Sequence, residues 1–298
     1  MPRGLEPMSA PVRASDIPFA RHAARRGLGW LTDALVMFKR ARLTWLVLVA
    51  LYFVLMSVLL EIPYAGALAA PLLKPVFAVG LLAAAWTQER GGRPRVSHLF
   101  NGFRANLGIL MALGLVYVAG ITAAVFLAAL VDGGTLLSLM SSDTKVVAGA
   151  TRPVPGVEER IRSGELQWSM LLVAFFAMPT VLAMWFAPAL VVFHDANLSA
   201  ALGASLRATL ANWKPLAVYG LAIAGFGVLI PLIFMQIVYM LAPVPATVAV
   251  LRYVFLGYAL VLYAALSIAE YVSYRDIFHA GETLTPLSPD TTQPPRGP

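Results

Sequence analysis

The 298-residue chain contains no cysteine, which excludes disulfides, thiolate metal sites, iron–sulfur clusters and cysteine nucleophiles. Charge is nearly as scarce. Asp, Glu, Lys and Arg make up 12% of the residues, where a soluble domain carries about 25%. So little polar surface cannot wrap a soluble core of this size. Catalytic signatures are missing as well. There is no Gly-x-Ser-x-Gly elbow, and neither a phosphate-binding loop, a Gly-x-Gly-x-x-Gly turn nor a His-Glu-x-x-His pair. Residues 1–42 lack the apolar stretch of a signal peptide and are rich in arginine, so the first apolar span is expected to remain as an anchor.

What the chain does have is apolar length. Hydrophobic residues make up 59% of it. Six runs are long enough to cross a membrane, at about 43–60, 67–86, 107–131, 169–193, 215–241 and 247–268. Because lipid offers no hydrogen bonds to the backbone, each should be a helix. The expected fold is an all-α integral membrane protein whose domain occupies 28–278. A basic N-terminus (1–27) and a proline-rich tail (279–298) are expected to be disordered.

Basic residues set the expected orientation. Sixteen Lys and Arg fall in the N-terminus, the second-to-third and fourth-to-fifth connections and the tail, against four in the 132–168 loop. Both termini are therefore expected in the cytoplasm, with 132–168 outside. Eight acidic residues share the basic side, which suits anionic lipid headgroups. No nucleic-acid-binding motif accompanies the charge.

The order of elements repeats three times. Each odd-numbered span follows an amphipathic stretch, marked by Leu28, Leu31, Leu35 and Phe38, by Val96, Leu99, Phe100, Phe103 and Leu107, and by Leu198, Leu202, Leu206, Leu210 and Trp213. These are expected to be interfacial helices fronting three helical hairpins. Ala41-Arg42-Leu43, Ala105-Asn106-Leu107 and Ala211-Asn212-Trp213 align at the junctions. Gly80 with Ala84, and Gly120 with Ala124 and Ala128, present small residues at spacing four, which suits close helix packing within one chain. Pro179, Pro188 and Pro231 are expected to kink spans four and five.

Several motifs carry a resemblance. They are Gly29-Trp30-Leu31, Phe38-Lys39-Arg40, Pro75-Val76-Phe77 with Gly80, and Gln88-Glu89-Arg90-Gly91. His98-Leu99-Phe100, Gly102-Phe103 and the stretch from Tyr271 to Phe278 complete the set. The chain resembles a family of uncharacterised six-span bacterial inner-membrane proteins. The resemblance implies membrane topology and a place in the inner membrane, and it implies no chemistry.

Three ionisable residues stand out. Lys74 lies inside span two between Pro71 and Pro75. An intramembrane charge is a candidate functional residue, and paired prolines can break a helix at a transport site. Against this, Lys74 could snorkel outward. Glu61, at the outer end of span one, is a candidate partner. Glu270, at the inner end of span six, could pair with an arginine of the inner loops. His22, His98, His194 and His279 look scattered and unrelated, with no metal-site spacing.

These observations point to a non-enzymatic protein that organises lipids or assists other membrane proteins, without a cofactor. The alternative is a carrier or channel for a small or lipidic solute with Lys74 near the pathway. A carrier requires a polar cavity reaching Lys74, a scaffold requires none, and an enzyme requires histidines converging with Asp195 or Glu270.

Overall fold

The computed structural model describes residues 13–134, 136–137, 146–147, 150–151, 163–241 and 245–279. The fold is all-helical, apart from an antiparallel pair of two-residue strands, Val146–Val147 and Ala150–Thr151. Six helical segments are long and apolar enough to span a membrane: Arg42–Leu60, Leu68–Glu89, Leu107–Asp132, Glu165–Phe193, Trp213–Val238 and Val248–Phe278.

The helices are α1 (Arg26–Arg40), α2 (Arg42–Leu60), α3 (Ala65–Glu89), α4 (Leu107–Asp132), α5 (Glu165–Met184), α6 (Ala187–Phe193), α7 (Leu198–Ala211), α8 (Trp213–Ala224), α9 (Ile230–Met240) and α10 (Pro245–Phe278). The second amphipathic stretch is a 3₁₀ helix, Val96–Arg104, rather than an α-helix. Gly80 and Gly102 explain its tightness. A Cβ on Gly80 would strike the Leu99 carbonyl, and one on Gly102 the Val76 carbonyl. The two backbones therefore touch at two points where only hydrogen fits.

The prolines act unequally. Pro71 and Pro75 leave α3 continuous. Pro179 lies inside α5, whereas span four breaks at Trp185 and Phe186, ahead of Pro188 near the start of α6. Ser205 and Thr209 of α7 cap the break, Thr209 by donating to the Leu182 carbonyl at 3.4 Å. The Phe186 N–H donates to Ser205 Oγ (3.0 Å), and the Ser205 hydroxyl donates to the Leu182 carbonyl (3.0 Å). Irregular backbone at membrane depth is tolerated where such partners re-satisfy it. Span five passes through a π-helical turn, Gly225–Leu229, whose Phe226 carbonyl accepts from the Tyr258 hydroxyl.

Small residues fill the seams, as expected for packing in lipid. Between α4 and α5, Gly120 meets Thr180, while Ala124, Ala128 and Ala177 are buried. The amphipathic elements form a packed base at the end of the bundle where α2 starts and α10 ends. Here only part of each apolar stripe turns outward, since Phe38 and Leu99 are buried and Leu31, Leu198 and Leu202 pack against the core. In α1 the buried face is Gly27, Trp30, Ala34, Met37 and Phe38, while Leu28 and Leu35 are exposed. In α7 the buried face is Ala200, Ala201, Ala204, Ser205 and Ala208, while Leu210 is exposed.

Residues 13–25 fall in the segment expected to be disordered, yet they lie across this base as a strap. Ile17 is buried. The Ala20 N–H donates to the Ile277 carbonyl (2.7 Å), and Asn212 bonds both the Ala20 carbonyl and the His22 N–H. Most of the 132–168 loop and nearly all of the 279–298 tail lie outside the described residues.

Candidate functional site

The six spans line a partly open cavity of about 350 Å³, and each of them contributes to its wall. Span one supplies Tyr52, span two Lys74 and its flanking prolines, and span three Tyr117. The break in span four brings Met184, Trp185 and Pro188. Span five adds Tyr219, and span six adds Tyr263, Ser267 and Glu270. Tyr52 and Tyr117 each lie ten residues beyond the starts of α2 and α4. At 1.5 Å per residue that is about 15 Å of helix, half of a hydrocarbon core about 30 Å thick. The cavity thus sits near mid-membrane.

Lys74 belongs to this wall, with its ammonium 5.2 Å from the centre of the Tyr117 ring. Glu61 does not. It caps α2 in the exposed turn before α3 and contributes nothing to the lining. Its place in the cavity is taken by Glu270, which lies within electrostatic reach of Lys74, Tyr219 and Tyr263. Among the described residues, no direct ion pair joins Lys74 to Glu270 or to any other carboxylate.

The aromatic groups make much of the wall. Tyr52 and Tyr263 stack at 5.3 Å, and Trp185 meets Tyr219 edge-on at 6.0 Å. The Trp185 indole N–H is buried without a hydrogen-bond partner. Pro75 also withholds the N–H that would reach the carbonyl of Pro71, a lining residue.

Glu270 is separate from the charge network at its own end of α10. Asp276 accepts from Arg26 Nε (2.5 Å), Arg275 (2.8 Å) and Trp30 Nε1 (3.1 Å). Arg275 also pairs with Glu89, which accepts from the Tyr271 hydroxyl. Burial works against the charge on Arg26, yet Asp276 and Asp33 outweigh it and hold the guanidinium above its usual pKa. Nearby, Gln88 accepts from Trp45 Nε1 and donates to the Met37 carbonyl, both at 2.7 Å. Trp30, Gln88, Glu89 and the Tyr271–Phe278 stretch, met separately in the sequence, are therefore one structure at the base.

Two of the four histidines are brought together, contrary to the scattered arrangement expected. The Tyr274 hydroxyl lies 2.9 Å from His194 Nδ1 and 3.0 Å from His279 Nε2. They converge on a tyrosine rather than on Asp195 or Glu270. Among the described residues, no group of three His or carboxylate side chains could hold a metal ion. His22 bonds the Asp276 carbonyl, and His98 accepts from the Arg95 N–H.

No family profile matches the chain, and no solved structure matches it. It is 29% identical over 274 residues to a probable inner membrane protein of Burkholderia thailandensis, covering 91% of this chain and 97% of that protein. This agrees with the resemblance carried by the sequence motifs. With six spans and a likeness along nearly its whole length, the chain is a multi-pass membrane protein similar to that probable inner membrane protein.

Proposed function

We propose that the protein is a non-enzymatic carrier of the bacterial inner membrane that binds a small or lipidic solute in the central cavity. The observation that supports this most is the cavity wall itself, built from all six spans and containing both Lys74 and Glu270. A scaffold that only organises lipids or neighbouring proteins has no use for charged side chains around a mid-membrane void, since each is costly to keep there. A discontinuous helix beside the void is the arrangement transporters use to expose backbone to a solute. The relative's inner-membrane description and the basic-residue bias support placing the base, with both termini, toward the cytoplasm. There the outward leucines of α1 and α7 would rest among anionic headgroups.

The absence of cysteine makes the test direct. Single cysteines are placed at Ser267 and Ile223 in the wall, and at Ala128 in the α4–α5 seam as a control. A small hydrophilic thiosulfonate is applied to intact cells and to inverted vesicles. Labelling of the wall positions and not of Ala128→Cys is expected. Wall positions as inert as the control would refute the carrier reading.

A further inference from the structure

The cavity holds one basic and one acidic side chain that make no direct ion pair with each other. Lys74 lies over Tyr117, its charge met by a ring face and by no carboxylate among the described residues. Glu270 lies on the same wall, on another helix, close to Tyr219 and Tyr263. A carboxylate and an ammonium at mid-membrane depth are each expensive. Where opposite charges share a site without touching, a guest with complementary ends lowers the cost of both at once.

We propose, on the basis of the carrier reading, that the cavity binds a zwitterion carrying a primary ammonium and an acid group, with an apolar or aromatic remainder. The acid end is received by the Lys74 ammonium. The ammonium end is received by Glu270 between Tyr219 and Tyr263, whose ring faces add cation–π attraction. The wall has further groups for such a guest. The Trp185 N–H is a buried donor with no partner, and the Pro71 carbonyl is an acceptor denied an N–H by Pro75. Leu81, Val181 and Leu266 supply apolar surface for the remainder. A volume of about 350 Å³ is at the small end of ligand pockets. It fits an amino-acid-sized solute whole, or the headgroup of a phosphatidylethanolamine whose chains stay in the bilayer.

Purified protein in phosphatidylglycerol nanodiscs distinguishes these cases by thermal unfolding. The probes are L-phenylalanine, phenethylamine and 3-phenylpropionate, which carry both charges, only the cation and only the anion. In a second arm, phosphatidylethanolamine or phosphatidylcholine is mixed into the discs. If the solute is free, L-phenylalanine should stabilise at concentrations about tenfold or more below either analogue, because a site that pairs a group rejects the guest lacking it. Lys74→Gln should erase its advantage over phenethylamine, and Glu270→Gln its advantage over 3-phenylpropionate. If the guest is a lipid, phosphatidylethanolamine alone should raise Tm, and Glu270→Gln should abolish the rise. If L-phenylalanine does not outperform its singly charged analogues and phosphatidylethanolamine does not outperform phosphatidylcholine, the proposal is overturned. If wall cysteines are still labelled in that case, the carrier reading survives. If they are not, both fall.

Discussion

Asp276→Asn is the sharpest test of how the base is held. The carboxylate receives bonds from Arg26, Arg275 and Trp30, and its side chain is 11% exposed. The amide keeps the size but removes the charge and halves the accepting capacity. Hydrogen bonds to a charged group contribute about 1.5–3 kcal/mol each. Stripping one partner from a buried pair costs about 3–5 kcal/mol. Arg26 is 31% exposed and can recover some water. Arg275 keeps Glu89, whose side chain is 3% exposed. Both relieve the loss, so the expected destabilisation is about 3 kcal/mol, near the lower bound for a broken buried pair. Asp33 supplies the internal control. It binds the same Arg26 at 2.7 Å but is 37% exposed, and an exposed pair contributes about 0–1 kcal/mol. Reversible unfolding in mixed micelles with increasing SDS measures both variants. A double-mutant cycle of Asp276→Asn with Arg26→Gln should show non-additivity, since the two share one contact. If Asp276→Asn unfolds no more readily than Asp33→Asn, or if the cycle is additive, the network is not what holds the base.

Two further substitutions probe the backbone contacts. Gly80→Val should lower stability by at least about 1–3 kcal/mol, the usual cost of overpacking, because the new side chain meets the Leu99 carbonyl. Gly108→Val, with open space beside its Cβ, should cost far less in the same titration, and equal losses would refute the close approach. Ser205→Ala leaves the Phe186 N–H without its acceptor and the Leu182 carbonyl with only the longer bond from Thr209. A loss of about 1–3 kcal/mol is expected, restored in Ser205→Thr if the hydroxyl is accommodated, and an unchanged SDS midpoint would show the break in span four needs no cap.

The six spans were legible because lipid imposes a length and a composition on any segment that crosses it. Lys74 stood out for the complementary reason, being a charge inside such a segment. Its counterpart was misplaced. Glu61 is near Lys74 along the chain, whereas Glu270 is nearly two hundred residues away and reaches the cavity only through the packing of α10 on α3. The amphipathic elements were visible as interfacial helices, but the share of each stripe that packs inward was not. Leu28, Leu35 and Leu210 stay outward, while Leu31, Phe38 and Leu99 join the base. In a bilayer the leucines can face lipid while the Gly, Ala and Ser face packs. The base network left little local trace, since Arg26 and Asp276 are 250 residues apart. The histidine pair was hidden in the same way, with His194 and Tyr274 separated by 80 residues.

The strap that lies across the base ties the beginning of the chain to its end. Ala20, Arg26 and Trp30 reach their partners at Asp276 and Ile277 only when the end of the sixth span has left the ribosome. Until then the strap and α1 have Asn212 and Tyr219 to dock against, but Arg26 and Trp30 lack the Asp276 carboxylate they share. Closure of the base is therefore the final step of biogenesis rather than an early one. A chain interrupted shortly before residue 276 would keep nearly all of its six spans but leave Arg26 and Trp30 without the carboxylate that closes the base.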